Sequence, residues 1–162
     1  MKWVTRKRIR LDRAACTWLI RYHIDQHADI AYLDADALPA AIAEGALPFH
    51  VTVAEDRDSS ERTSFDLLLA EYKLDQSDPA LALLGDIIHG AELKDADAMG
   101  ESEGLRAITK GMIALSSSDE EIAERMAIVF EALYTYCSRR VTGQRDWANM
   151  EPAAATTGEK RR

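Results

Sequence analysis

Three groups of residues in this 162-residue chain carry side chains that can do chemistry. His89-Gly90-Ala91-Glu92-Leu93-Lys94-Asp95 brings one imidazole and two carboxylates into a single short stretch. Nitrogen and oxygen donors of that kind suit a divalent metal, or a general base with an orienting acid. Glu55, Asp56, Asp58 and Glu61 crowd another stretch, where like charges repel unless a cation or a basic segment neutralises them. Read together, Glu55, Asp58, His89, Glu92 and Asp95 are the candidate metal ligands, and the cofactor they imply is a divalent ion such as Mn, Fe or Zn. The third group is basic: Arg10, Arg13 and Arg21 offer forked, permanently charged donors for a small oxyanion, helped by backbone N–H groups at the start of a helix.

Each group also has a plainer explanation. A histidine at a helix end is favoured by the dipole, an acidic loop is ordinarily just solvated, and a basic segment can pair with an acidic body. The other imidazoles read as structural or solvated: His23 beside an aromatic stripe, His27 in a polar turn, His50 pointing off a short strand. No phosphate loop, dinucleotide fingerprint, Gly-x-Ser-x-Gly elbow or His-Glu-x-x-His is present, so neither a reaction nor a catalytic residue is assigned.

Charge is spread unevenly. Residues 1–21 carry seven basic side chains against one acid, in a chain whose net charge is −8. An acidic body repels a nucleic-acid backbone, which argues against broad DNA binding, while the basic segment still attracts a small oxyanion. Cys16 and Cys137 lie far apart and in no metal-finger spacing, so both read as buried small hydrophobes. Neither a signal peptide nor an 18-residue apolar run is visible, and the expected compartment is the cytoplasm, with no membrane partner.

The elements that must position these groups follow from periodicity. A strand is expected over Trp3-Val4-Thr5 and on through Ile9 and Leu11, then a helix capped by Asp12 and running to about Asp25. Short strands are expected at Ile30 to Leu33 and Phe49 to Val53, flanking a helix from Asp36 to Glu44 that stops at Gly45. Ala54 to Thr63 reads as a loop, and Ser64 as the cap of a helix bearing Phe65, Leu68, Leu69 and Tyr72. Pro79 opens the next helix, with Leu81, Leu84 and Ile88 buried and Gly90 as its end. Residues 92–103 read as irregular, followed by a helix with Leu105, Ile108, Met112 and Leu115 on one face. The last helix starts with the Ser118/Glu121 capping box, buries Ile122, Met126, Val129, Phe130, Leu133 and Cys137, and stops at Gly143. The expected fold is therefore α+β: one predominantly helical domain over residues 1–141 with a small sheet of two or three short strands, and a disordered tail over 142–162.

Several motifs in one order resemble a known family. Trp3-Val4-Thr5-Arg6, Asp12-Arg13-Ala14-Ala15-Cys16-Thr17-Trp18-Leu19-Ile20-Arg21, Gly45-Ala46-Leu47-Pro48-Phe49, Ser64-Phe65-Asp66, Tyr72-Lys73-Leu74, Asp78-Pro79-Ala80-Leu81, His89 to Asp95 and Ala132-Leu133-Tyr134 are similar to the chromate-resistance family of ChrB C-terminal type. The likeness spans roughly residues 2 to 138. It implies a chromate-resistance accessory or sensor protein that recognises an oxyanion such as chromate, a divalent metal, or both. A metal-dependent enzyme of unknown reaction and a partner-binding regulatory module are the alternatives. Family members often carry an additional N-terminal domain, so direct DNA binding is not expected here without a protein partner. They also tend to place His where this chain has Asp58 and Cys where it has Thr63. A carboxylate at Asp58 can still hold a hard cation, whereas Thr63 lacks the softness of a thiolate.

Overall fold

The structure, a computed structural model, describes residues 1–51, 62–93 and 98–144. Its sheet has three parallel strands in the order β2-β1-β3: β1 is Lys2–Arg6, β2 Asp29–Leu33 and β3 Leu47–Pro48. Trp3 pairs with Ile30 on one side and Leu47 on the other. A central parallel strand has both faces covered, and β1 obeys that rule. Trp3 points into the main core, while Val4 points the other way into a small cluster with Leu38, Ala41 and Ala46.

Helix α1, Leu11–Leu19, supplies the crossover from β1 to β2 and packs against α3, α5 and α7. Surrounded on so many sides, it buries every residue except Arg13. It continues into one wide turn, Ile20–Ile24, in which the amide of Asp25 donates to the carbonyl of Ile20, five residues back. Helix α2 is Leu38–Ala43, and Gly45 leaves it with φ +95°. Next come α3, Ser64–Glu71, α4, Leu74–Ser77, and α5, Pro79–Leu93, whose first amides are capped by Asp78. Helices α6, Gly100–Leu115, and α7, Asp119–Val141, complete the domain. The core centres on Trp18, whose ring lies 6.0 Å from both Phe130 and Tyr134 of α7 and 4.9 Å from His23. Cys16 and Cys137 are both buried and free.

The α+β architecture dominated by helices is as expected, and several local expectations are corrected. Ile9 and Leu11 do not extend β1, because Arg8 takes a left-handed turn (φ 61°) and Leu11 already begins α1. The strand expected from Phe49 is shorter and earlier: its last bond to β1 runs from the Phe49 amide to the Val4 carbonyl at 3.0 Å, and His50 then bends away with φ 48°. Thr63, not Ser64, caps α3, in a reciprocal box with Asp66. Gly90 does not end α5. A Cβ there would lie 2.8 Å from that of Ala98 and 2.9 Å from Ser102 Oγ, so the glycine instead lets two helices approach closely. On α6 the buried face is Ser102, Leu105 and Thr109, leaving Ile108 and Leu115 exposed. Helix α4 falls in a stretch that periodicity alone leaves unassigned. Most of the Ala54 to Thr63 loop, the middle of the acidic stretch at 94–97 and the tail from 145 lie outside the described residues. Among the described residues no helix is long and apolar enough to cross a membrane.

Candidate functional site

The start of α1 is where distant parts of the chain meet. Asp12 is only 3% exposed. Instead of capping its own helix, its carboxylate caps α3: Oδ2 accepts from the Ser64 amide at 2.8 Å and Oδ1 from the Phe65 amide at 2.9 Å. His50 places Nδ1 2.8 Å from Asp12 Oδ2 and also contacts Ser64 Oγ. Burial works against ionisation of Asp12, but the His50 hydrogen bond and charge, with the two amides, bring its carboxyl below the usual range. Cys16, one turn on, points its thiol at Asp12 Oδ1, and burial together with that carboxylate pushes its pKa far up, so it stays an unreactive thiol.

A second imidazole–carboxylate pair lies beside the first. Asp66, three residues into α3, accepts from the Thr63 amide at 2.8 Å and holds His89 Nδ1 at 2.8 Å. The two pairs thus clasp the N-terminus of α3 from either side. Asp12, His50 and Ser64 do not form a hydrolytic triad. That device needs the hydroxyl on one ring nitrogen and the carboxylate on the other, whereas here both contact Nδ1.

Glu92 approaches the same place from the end of α5. Although the residue as a whole is among the exposed ones, protein crowds its carboxyl. Desolvation and the nearby Asp12 charge raise its pKa, against the pull of His50, the Asp12 amide and Arg10. The pKa of Arg13 is lowered by burial and by the neighbouring Arg6, against the charges of Asp12, Glu92 and Asp119. Its Nε is shielded from solvent and has no hydrogen-bond partner among the described residues. On the other side of Arg10 lies a cleft of about 490 Å³ lined by Arg8, Arg10, Lys110 and the three serines Ser116 to Ser118. Its carboxylate, Asp119, is occupied by the amides of Arg8 and Ile9, both at 2.9 Å.

Of the residues singled out by chemistry, Arg10, Arg13 and Glu92 are brought to one neighbourhood. Arg21 sits two turns further along, in the wide turn, where its charge acts on Tyr32. His89 is not in a turn but in the last turns of α5, facing Asp66. Glu55, Asp58 and Asp95 lie outside the described residues. Among the described residues no three His, Cys, Asp or Glu side chains are grouped closely enough to hold a metal. The participation of Asp12, His50, Ser64 and Asp66 escaped sequence reasoning. The one available signal was an aspartate at a helix start beside a buried stripe, and it pointed to the wrong helix.

A profile described as the ChrB C-terminal domain matches residues 3–137. The chain belongs to the ChrB C-terminal domain family. Protein ChrB of Cupriavidus metallidurans is 34% identical over 138 residues, covering 85% of this chain and 41% of the relative. This ChrB-type chain therefore spans about two fifths of the length of the curated relative it matches. No solved structure matches it. At Thr63 the hydroxyl accepts from the Asp66 amide at 3.1 Å and secures the start of α3.

Proposed function

We propose that this ChrB-type chain serves chromate resistance as an accessory or sensor domain that recognises a small tetrahedral oxyanion at the mouth of α1. The observation that carries this reading is the cleft beside Arg10. Three cationic side chains, Arg8, Arg10 and Lys110, line it, and its single carboxylate is already bonded to backbone amides. A dianion entering there gains charge-assisted hydrogen bonds without having to displace an existing ion pair. On the same segment of chain, the mutual repulsion of Arg6 and Arg13 would be eased by a negative ligand. Titration calorimetry with chromate, and with sulfate as a redox-inert dianion of the same shape, tests the proposal. Binding by both, weakened by Arg10→Ala and by added salt, is the expected result. Absence of heat from either anion at millimolar concentration would remove the reading.

A second reading, a divalent-metal site, is favoured by a different observation: two imidazoles each have Nδ1 tied to a carboxylate at 2.8 Å. That bond fixes the tautomer and turns the lone pair of Nε2 outward, the arrangement usual behind metal-bound histidines. The ligands then come from Glu55, Asp58, His89, Glu92 and Asp95. Metal analysis of protein purified without a tag separates the two readings. A metal-free product whose melting temperature ignores added Mn, Fe and Zn would exclude the second.

A further inference from the structure

The polar lining of the cleft beside Arg10 is of two kinds. Arg8, Arg10 and Lys110 are donors, but most of the oxygen atoms around them can only accept. The left-handed backbone of Arg8, φ 61°, turns two successive amides onto the Asp119 carboxylate, Arg8 N–H to Oδ2 and Ile9 N–H to Oδ1, each at 2.9 Å. Held at both oxygens, the carboxylate cannot swing out of the cleft. Each oxygen nevertheless has two acceptor positions, and the amides take one apiece. Two of the three serines have already given their protons away: Ser116 Oγ donates to the Met112 carbonyl and Ser117 Oγ to Glu121, both at 2.7 Å. Of the three, Ser118 keeps a hydroxyl proton to offer, since its Oγ accepts from the Glu121 amide at 3.1 Å. Among the other charged groups near Asp119, Lys7 is paired with Asp34 at 2.8 Å and Glu121 with Arg125 at 2.6 Å, while Arg13 feels the Asp119 charge from α1.

We infer that the cleft selects tetrahedral oxyanions that carry a proton, with Asp119 as the specificity-determining residue that accepts it. This deepens the oxyanion reading above and rests on it. Sulfate is acceptor only at neutral pH: it keeps the contacts to the cations and binds, but it sets its own lone pairs against those of Asp119 and the two serines. Hydrogenphosphate has the same charge and shape and brings one O–H. Chromate takes up its first proton close to neutral pH, in the range where an imidazole would titrate, and no histidine is among the described residues that line the cleft. A site built to pair with a ligand hydroxyl discriminates against the analogue that lacks it, because its own polar atoms are then left without a partner.

Calorimetric titration of the intact chain with phosphate and with sulfate, in a buffer free of oxyanions, tests the assignment. Phosphate should bind about tenfold more tightly than sulfate. As the pH is lowered from about 8 to about 6, affinity for chromate should climb relative to that for sulfate, because of the two only chromate gains a proton. Asp119→Asn should bring phosphate and sulfate to within about twofold of each other, whereas Lys110→Ala should weaken both alike and leave their ratio unchanged. The two comparisons in the parent protein decide the matter even where asparagine loosens the start of α7. Equal binding of phosphate and sulfate, with a chromate-to-sulfate ratio that is flat across pH, overturns the inference while leaving the oxyanion reading intact. A preference that persists in a folded Asp119→Asn variant overturns the role of Asp119. Absence of heat from every anion overturns both the inference and the reading beneath it.

Discussion

A single carboxylate ties the molecule together around Asp12. Its two amide bonds reach residues more than fifty positions away, and its third partner, His50, comes from the bend after β3. Hydrogen bonds to a charged group are worth more than neutral ones, and leaving two helix-terminal amides without an acceptor costs more than the bonds themselves contribute. Asp12→Ala should therefore destabilise the domain by about 3 kcal/mol, read as a lower urea midpoint. Asp12→Asn, which keeps one acceptor oxygen, should fall between the two. An unchanged midpoint in the alanine variant would mean that α3 is held by its hydrophobic face alone. Cys16 offers the opposite lesson: packed against Asp12 with its thiol kept protonated, it should resist alkylation until the protein unfolds.

Two sites on the helices make sharp tests of how these elements are assembled. Thr63→Ala removes the hydroxyl half of the α3 capping box and should cost about 1 kcal/mol in thermal or urea unfolding. Gly90→Ala sets two effects against each other. Alanine favours a helix interior by about 1 kcal/mol, but its methyl would press on the Cβ of Ala98, which cannot swing aside, and overpacking costs about 1–3 kcal/mol. The clash should win, giving a net loss of about 1 kcal/mol; a gain in stability would show that α6 yields readily. The same glycine shows where sequence reading stops. Periodicity was enough to recover β1, β2, α1, α5 and α7, because buried apolar residues recur along each. A glycine needed for close approach is indistinguishable in sequence from one that ends a helix, so the pattern alone stops α5 short at Gly90. The site was legible in part. Arg10, Arg13 and Glu92 were visible by type, whereas His50 and Asp66 owe their roles to partners that only folding supplies.

Across the whole molecule the shifted carboxyl groups divide into two sets with opposite effects on stability. Asp12, Asp25, Glu101 and Glu121 have folded pKa values below their ordinary ones, Glu121 at about 2, through hydrogen bonds and positive neighbours. The stability they contribute is present at neutral pH and lost as acid drives them through those lowered values. Asp86 and Glu92 are raised, chiefly by burial and then by a neighbouring aspartate, so their charges work against the fold at neutral pH and cease to do so once protonated. Protonation of the second set comes first on acidification. His23 opposes that gain, because burial lowers its pKa and its protonation in mild acid costs the fold, so the melting temperature should change little from neutral to mildly acidic pH and then collapse at stronger acid. A steep fall already in mild acid would show that His23 outweighs Asp86 and Glu92.

The wide turn at Ile20–Ile24 has a consequence for the lineage of such chains. It inserts one residue beyond what a regular helix would hold, so the residues after it are rotated by about 100° relative to an uninterrupted spiral. A descendant that lost one residue there would keep a helix but turn His23 off the ring of Tyr134, now 5.1 Å away. Gains and losses of single residues among related chains should therefore be rare at this point, and where one occurs, the aromatic partners on α7 should have changed with it.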